Sequence, residues 1–293
     1  MKKSLTAFIG AAMTTALIAS TLIIPTSAAN SIKLGANAEK VTTTIAAVGD
    51  KKPVLDGVIS DGEYQEIKYS KDDMMYLGFN DARLAEMEKR NVKLYAAYSS
   101  DIVYIGVVVD TPDFTQTAAK GGDMWQQNCL QLCGAKISET EAKTRAELGY
   151  ALSSKDGNLL FANYSSGYLS GYTADTTPGK DFAIVNKDGV TTYEVAMPAA
   201  AFGADSLKKG DKIKLDITIV LSKSMSEAAV IEWAQGCYVE KDVNKLATVT
   251  LGDKLEVKKP ATTTAAQTPD MIAFSLLALT ASAGAAYAFG KKR

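Results

Sequence analysis

Residues 91–110 read NVKLYAAYSSDIVYIGVVVD, and this stretch decides the class of the fold. Val92, Leu94, Ala96 and Tyr98 recur at every second position of its first half, which is typical of a strand with one buried face. The second half, residues 102–109, is almost continuously apolar and β-branched, as in a strand that is covered on both faces. The stretch therefore predicts two successive strands, of which the second is fully buried.

Similar strand patterns follow along the chain, and turn signals separate them, including Asp-Gly and Pro-Gly pairs. Further strands are predicted at residues 41–48, 129–134, 148–152, 159–164, 182–186, 192–197, 213–221, 230–233 and 246–251. Helical patterns are short and lie at residues 61–67, 81–90, 139–146 and 199–202. About ten short strands with hairpin-type turns predict an all-β fold, an antiparallel β-sandwich with few short helices.

The composition excludes several classes of protein, because the chain has no histidine among its 293 residues. That absence removes Ser-His-Asp and Cys-His catalysis, histidine-bearing zinc sites and bis-histidine haem. Of the 32 basic residues, five lie at the chain ends, which leaves 27 basic against 33 acidic residues and a net charge of −6 between them. An acidic exposed part argues against nucleic acid or an anionic membrane surface as its partner.

The N-terminal end predicts export. Residues 1–29 combine Lys2 and Lys3, a long uncharged apolar run and small residues at 27–29, which is the pattern of a secretory signal peptide. A short N-terminal segment at residues 30–40 then leads to one folded domain at residues 41–252. The domain is therefore expected outside the cell.

The C-terminal end predicts anchoring in the membrane. Residues 253–270 are rich in Lys, Thr, Ala and Pro and lack an apolar period, as in a linker. Residues 271–290 carry no charge and are long enough for a transmembrane helix, and residues 291–293 form a basic cytoplasmic tail. We therefore expect a cell-surface protein that is held by its C-terminal helix.

This tail also resembles the sorting signal of Gram-positive wall-anchored proteins, which joins a P-Q-T-G-D-type motif to an apolar span and a basic end. Residues 266–270 read AQTPD, so that Ala266 and Pro269 replace the Pro and Gly of the motif. A sortase releases the amine that follows the Thr, and a proline there has a fixed φ and no N–H. A plain membrane anchor is the expectation, and wall sorting stays open.

The three cysteines leave the disulfide state open. Cys129 and Cys133 lie in one predicted strand about 13 Å apart, which is too far for them to pair with each other. Either one of them pairs with Cys237 and leaves one free thiol, or all three are buried and unpaired. No C-x-x-C spacing indicates a metal site.

Five stretches carry a further signal through their order along residues 41–252. They are PVLDGVISDGEY at 53–64, VKLYAAY and IVYIGVVVD at 92–110, MWQQNCLQL at 124–132, YEVAMP at 193–198 and IEW at 231–233. Together they resemble the family 9 carbohydrate-binding modules and their DOMON-like relatives. The resemblance implies a β-sandwich that binds sugar without catalysis. Tyr64, Asn128 and Gln131 depart from the family pattern, in which Trp, Asp and often Glu stand at these positions.

The resemblance places a sugar site around Trp125, with Gln127 and Asn128 as polar ligand-binding residues. Sugar rings pack their C–H faces on aromatic planes, while their hydroxyls need planar polar partners. In the family this Trp forms one wall of an aromatic sandwich around a sugar end. Tyr238 is expected to form the other wall, because Trp233 lies in a predicted core strand. The alternative is that Trp125 only packs at the edge of the β-sandwich.

A second candidate for ligand binding is the stretch NYSSGYLSGY at residues 163–172, in which Tyr168 is central. Tyr, Ser, Gly and Asn are typical of adaptable binding loops. Ordinary tyrosines at strand edges would give the same composition, so both interpretations stay open.

The resemblance also suggests a structural Ca²⁺, for which Asp56 and Asp110 are the candidate ligands. No EF-hand spacing accompanies them. Carboxylates that are solvated at the surface are the alternative interpretation.

We therefore expect a protein that binds polysaccharide or oligosaccharide at the cell surface. A structural or adhesive sandwich without a sugar site is the alternative, and the changes at Tyr64 and Asn128 are compatible with it. A glycosidase would need two carboxylates facing each other in a cleft, and the sequence singles out no such pair. Haem binding would have only Met and Lys available as axial ligands.

Overall fold

The structure is a computed structural model and describes residues 30–165, 167 and 169–256. The described residues form fourteen strands and one short α-helix, together with a few 3₁₀ helices that include Gly121–Gln126. In chain order the elements are β1 Ser31–Leu34, β2 Thr42–Ala47, β3 Gln65–Ile67, β4 Met74–Gly78, α1 Asp81–Met87, β5 Val92–Tyr98, β6 Ile102–Asp110, β7 Cys129–Lys136, β8 Ala146–Leu152, β9 Leu159–Asn163, β10 Phe182–Lys187, β11 Val190–Pro198, β12 Lys212–Val220, β13 Ala229–Trp233 and β14 Ala247–Lys254.

Strand β12 belongs to both layers of the fold. On one side it pairs with β7 along its length, and on the other side its first half pairs with β14 and its second half with β13. The first sheet therefore runs β9-β8-β7-β12-β13-β4-β1, and the second runs β14-β2-β5-β6-β11-β10, with β3 also on β5. Pairing is antiparallel except between β14 and β2 and between β2 and β5. The predicted β-sandwich with few short helices is confirmed.

The main core lies between the two sheets. Val103, Ile105 and Val107 of β6 meet the inward side chains of the first sheet, such as Ile217 and Trp233, and all of them are buried. Each such side chain contributes about 1.5–3 kcal/mol on burial. The other face of β6 is covered as well, because Tyr104 packs with Leu55 and Tyr64 of the opening segment. The prediction that β6 is covered on both faces is confirmed.

The helical prediction at residues 61–67 is wrong. Gly62 has a φ of 84°, in the left-handed region, and it closes a turn that ends any helix there. Gln65–Ile67 then forms β3, which pairs antiparallel with β5. The prediction at residues 81–90 is confirmed as α1, whose N-cap Asn80 accepts a hydrogen bond of 2.9 Å from the backbone N–H of Arg83.

Strands β1 and β4, like β3, lie where no strand was predicted. Strand β1 pairs with β4 and lies before residue 41, where the sequence placed the start of the domain. Residues 139–145 contain turns and no helix, and β8 begins at Ala146. The signal segment at residues 1–29 and the predicted span at 271–290 lie outside the described residues, and so does most of the linker. Across residues 30–165, 167 and 169–256, no helix is long and apolar enough to cross a membrane.

The structure distinguishes the two cysteine arrangements. Cys133 on β7 forms a disulfide with Cys237, with a Cα–Cα distance of 5.9 Å, and Cys129 is a buried free thiol. Cys237 lies in the segment between β13 and β14, so the bridge ties that segment to the first sheet. It closes a span of 104 residues.

Candidate functional site

The 3₁₀ helix Gly121–Gln126 places Trp125 at the surface of the first sheet. Met124 is fully buried and anchors the helix, whereas Trp125 is only half-buried. The helix lies directly on β9, because a Cβ on Gly121 would come within 1.8 Å of the carbonyl oxygen of Phe161. The hydroxyl of Tyr164 donates a hydrogen bond of 3.0 Å to the carbonyl oxygen of Gly121.

An open cleft of about 470 Å³ runs along this helix. Its walls are a segment before the helix and the loop that joins β12 to β13. The lining residues are Thr117, Ala118, Asp123, Gln126, Gln127, Ser224, Met225 and Ser226. Hydroxyls, amides and one carboxylate therefore share the lining with an apolar surface of similar extent, and an uncharged polyhydroxylated ligand with apolar ring faces suits this mixture. Trp125 lies between two of the lining residues in the chain.

Gln127 joins the two walls of this cleft. Its Oε1 accepts hydrogen bonds from the backbone N–H of Thr117 at 2.6 Å and from the Thr117 hydroxyl at 3.0 Å. Its Nε2 donates to the carbonyl oxygen of Lys223 on the opposite wall at 2.9 Å. The side chain thus sets the separation of the walls, and direct ligand binding by Gln127 stays a prediction.

Asn128 lies beneath the cleft and is 2% exposed. Its Oδ1 accepts a hydrogen bond of 2.8 Å from the backbone N–H of Thr115. The buried amide of Gln116 donates to the carbonyl oxygens of Met124 at 2.9 Å and Asn128 at 3.0 Å. Gln116 therefore holds both ends of the Trp125 segment, and no motif in the sequence pointed to it. Ligand binding by Asn128 stays a prediction that would require this packing to open.

The predicted aromatic residues lie in different environments. Tyr238 is 8% exposed and packs with Met124 and Cys129 in a second apolar cluster, where burial raises the pKa of its hydroxyl. Trp233 is 1% exposed in the main core, as its strand pattern predicted. Tyr168 lies outside the described residues. Its role, and that of Tyr238 as a second aromatic wall, stay predictions.

The two candidate calcium ligands have separate partners. Oδ1 of Asp56 accepts a hydrogen bond of 2.9 Å from the backbone N–H of Val58, within a turn. Oδ2 of Asp110 accepts one of 2.6 Å from the side-chain amide of Asn91, at the end of β6. In the described part of the chain, no three or more Cys, Asp or Glu side chains are grouped so that they could hold a metal ion. The Ca²⁺ site stays a prediction.

Two solved structures of a family 9 carbohydrate-binding module from Caldicellulosiruptor kristjanssonii are similar to this chain. The complex with cellotriose has 11% identity, covers 75% of this chain and 97% of the module, and has a TM-score of 0.45. The complex with glucose has 12% identity, covers 74% and 100%, and has the same TM-score of 0.45. No protein-family model and no curated protein matches the chain. Similarity at this level concerns the arrangement of strands alone and identifies no site residue.

Proposed function

We propose that the chain is an exported, envelope-anchored protein that binds carbohydrate without catalysis. The observation that carries the proposal is the open cleft of about 470 Å³ along the 3₁₀ helix that carries the half-buried Trp125. A sugar ring could pack its C–H face on the indole while its hydroxyls bond to Gln126, Asp123 and the serines of the opposite wall. The order of motifs along residues 41–252 supports the same proposal.

The lining of the cleft favours binding over hydrolysis. Asp123 is the one carboxylate among the residues that line it. Glycoside hydrolysis in most families uses two carboxyl groups on opposite sides of the scissile bond. A neutral glycan held by hydrogen bonds is the ligand that this lining fits, and Trp125 on the same 3₁₀ helix is the proposed aromatic contact.

Export and anchoring are supported by the chain ends and by the disulfide. Structural disulfides persist in oxidising compartments outside the cytosol, and the Cys133–Cys237 bridge fits such a location. Protease treatment of intact cells tests the location, because an exposed domain is cleaved and an internal one is protected. Removal of residues 271–293 should release the domain into the medium. Release of the unaltered chain into the medium would contradict membrane anchoring.

The sugar site is tested by a glycan array with the wild type, Trp125→Ala and the control Tyr95→Ala. Tyr95 is also half-buried but lies on β5 in the second sheet. We expect Trp125→Ala to lose binding and Tyr95→Ala to keep it. Absence of binding by the wild type, or equal binding by Trp125→Ala, contradicts the proposal.

A structural or adhesive sandwich is the second candidate. It is favoured by the internal hydrogen bonds of Gln127 and Asn128, which occupy polar atoms that a ligand would otherwise use. An array on which the well-folded wild type binds no glycan would support this candidate.

A further inference from the structure

Residues 234–246, which we call the cap, lie across the outer face of the first sheet between β13 and β14. The Cys133–Cys237 disulfide fastens the cap to β7. The backbone N–H of Val243 donates to the carbonyl oxygen of Ala142 at 2.9 Å, and the side-chain amide of Asn244 donates to that of Thr140 at 3.2 Å. Cys133 and Cys237 are both fully buried, so a reductant reaches the disulfide only when the cap opens.

Two fully buried carboxyl groups lie under the cap. Asp216 on β12 and Glu232 on β13 are diagonal neighbours on one face, since Glu232 stands opposite Thr218. Two carboxyl groups that are adjacent and fully buried cannot both be ionised, so the pair holds one proton. Oδ2 of Asp216 and Oε2 of Glu232 accept from no donor among the described residues, which leaves these two oxygens for that proton.

The cap itself selects which of the two carboxyl groups is ionised. Oε1 of Glu232 accepts hydrogen bonds from the backbone N–H groups of Cys237 at 2.8 Å and Tyr238 at 3.1 Å. Donors of this kind favour the charged form of Glu232. Asp216 accepts only a hydrogen bond of 3.5 Å from the Thr218 hydroxyl among the described residues, so it carries the proton.

The ionised side chains closest to the pair carry one net positive charge. Arg145, just before β8, pairs with Glu147 of β8, and Lys241 of the cap donates to the same Glu147 at 2.7 Å. Arg145 also attracts Asp216, although this effect on the pKa is smaller than that of burial. Lys214, farther along β12, donates to the carbonyl oxygen of Glu139 at 2.6 Å. The single positive charge left by Arg145, Lys241 and Glu147 offsets the ionised Glu232, so the proton on Asp216 keeps a second, uncompensated negative charge out of the site.

We propose that the proton shared by Asp216 and Glu232 is a pH-sensitive lock on the cap, and that its loss at alkaline pH loosens residues 234–246 from the first sheet. Two adjacent carboxylates without a proton repel each other in a buried site. The charge on Glu232 already occupies the N–H groups of the cap, so the second charge has no donors to receive it. The inference does not depend on sugar binding.

The direction of the pH effect follows from the state of Asp216. Burial, and then the charge of Glu232, raise the pKa of Asp216 well above its usual value. An open cap exposes the carboxyl to water and returns its pKa toward the usual range. The closed state therefore keeps a proton that the open state releases, and closure weakens as pH rises.

The test measures how fast a phosphine reductant reduces the Cys133–Cys237 disulfide in the wild type and in Asp216→Asn. The asparagine amide keeps a donor toward Glu232 but cannot ionise. Rates are divided by those of oxidised glutathione under the same conditions, which removes the pH dependence of the reagent. Asp205→Asn, at an exposed position, is the matched control.

In the wild type and Asp205→Asn, we expect reduction to accelerate at least about tenfold between about pH 6 and about pH 9, since each unit of pKa difference between closed and open states is a factor of ten. In Asp216→Asn the rate should stay within about twofold over the same range. Asp216→Ser supplies a second variant without this carboxyl group if Asp216→Asn does not fold. A flat wild-type profile, or an equal rise in a folded variant of the pair, overturns the proposal.

Discussion

Glu194 on β11 and Tyr64 in the opening segment are joined by a buried hydrogen bond, in which the Tyr64 hydroxyl donates to Oε1 of Glu194 at 2.8 Å. Oε2 of the same carboxylate accepts the backbone N–H groups of Asp56, Gly57 and Val58 at 3.0, 2.6 and 3.1 Å. The side chain of Glu194 therefore holds the turn at residues 56–58 against strand β11. The hydroxyl of Tyr64 supplies the side-chain donor of this contact.

Replacement of this carboxylate should destabilise the domain. In the wild type, one charged oxygen of Glu194 accepts hydrogen bonds from three backbone N–H groups. Glu194→Gln replaces the carboxylate with a neutral amide, so we expect a loss of about 2–4 kcal/mol in the free energy of unfolding. Tyr64→Phe should cost about 1–2 kcal/mol, since one donor is lost. Urea denaturation measures both, and Glu141→Gln at an exposed position is the control. A Glu194→Gln protein as stable as the control would contradict the stabilising role of the Glu194 carboxylate.

The two adjacent glycines of the Trp125 helix should respond differently to alanine. A Cβ on Gly121 would lie 1.8 Å from the carbonyl oxygen of Phe161, whereas a Cβ on Gly122 meets nothing within 4 Å. Gly121→Ala must push the helix off β9, at a cost of about 1–3 kcal/mol, and should weaken glycan binding. Gly122→Ala should change stability by no more than about 1 kcal/mol. Thermal unfolding and glycan titration of the pair check this, and equal behaviour would count against the placement of Trp125.

The disulfide should be a large source of stability. In the chain-entropy model, a bridge across 104 residues contributes about 4–5 kcal/mol. A reductant should lower the unfolding temperature of the wild type and of Cys129→Ala, but not that of Cys133→Ala/Cys237→Ala. Thiol titration of the denatured wild type should find one thiol before reduction and three after it. Three thiols without a reductant would refute the bridge.

Asp113 should stabilise the domain at neutral pH and lose that effect in acid. Burial alone would raise the pKa of Asp113, but a hydrogen bond from Lys223 and the charges of Arg83 and Arg90 lower it below 3.8 overall. A lowered pKa contributes stability above the unfolded value, and the contribution disappears as pH falls through the folded value.

Asp113→Asn should therefore cost about 1–2 kcal/mol at neutral pH, after allowance for solvent screening, because two nearly buried arginines lose a counter-charge. The difference from wild type should shrink toward zero as pH falls below the folded pKa of Asp113. Urea denaturation of both proteins, at neutral pH and at a pH below the folded pKa of Asp113, measures this difference. A difference that stays constant with pH would contradict the electrostatic cause.

Much of the strand framework could be predicted because apolar periodicity reports burial directly. The pair β5 and β6 followed from alternation and β-branching alone. Strand β3 lies within the predicted helix at residues 61–67, and the left-handed φ of Gly62 explains why a turn and a strand form there instead. The short strands β1 and β4 have no clear period, and their pairing with distant parts of the first sheet defines them.

The candidate site could be predicted only in part. The sequence showed that amides follow Trp125, but it could not show which groups receive their hydrogen bonds. In the structure Gln127 bonds to Thr117 and Lys223, which are 10 and 96 residues away in the chain. The cap has neither periodicity nor a motif, so its position over the buried carboxyl groups emerges only from tertiary pairing.

The place of β14 in the sandwich determines how the domain bears mechanical load. This last strand lies between β12, to which it is antiparallel, and β2, to which it is parallel. A pull on the chain from beyond residue 256 acts along β14 and stresses the hydrogen bonds on both flanks together, so they must shear as a group. Strand β1 pairs only with β4 among the described strands, and a pull from its free end would unzip those bonds in turn. The domain should therefore resist a pull on β14, the side of the proposed tether, better than a pull on β1.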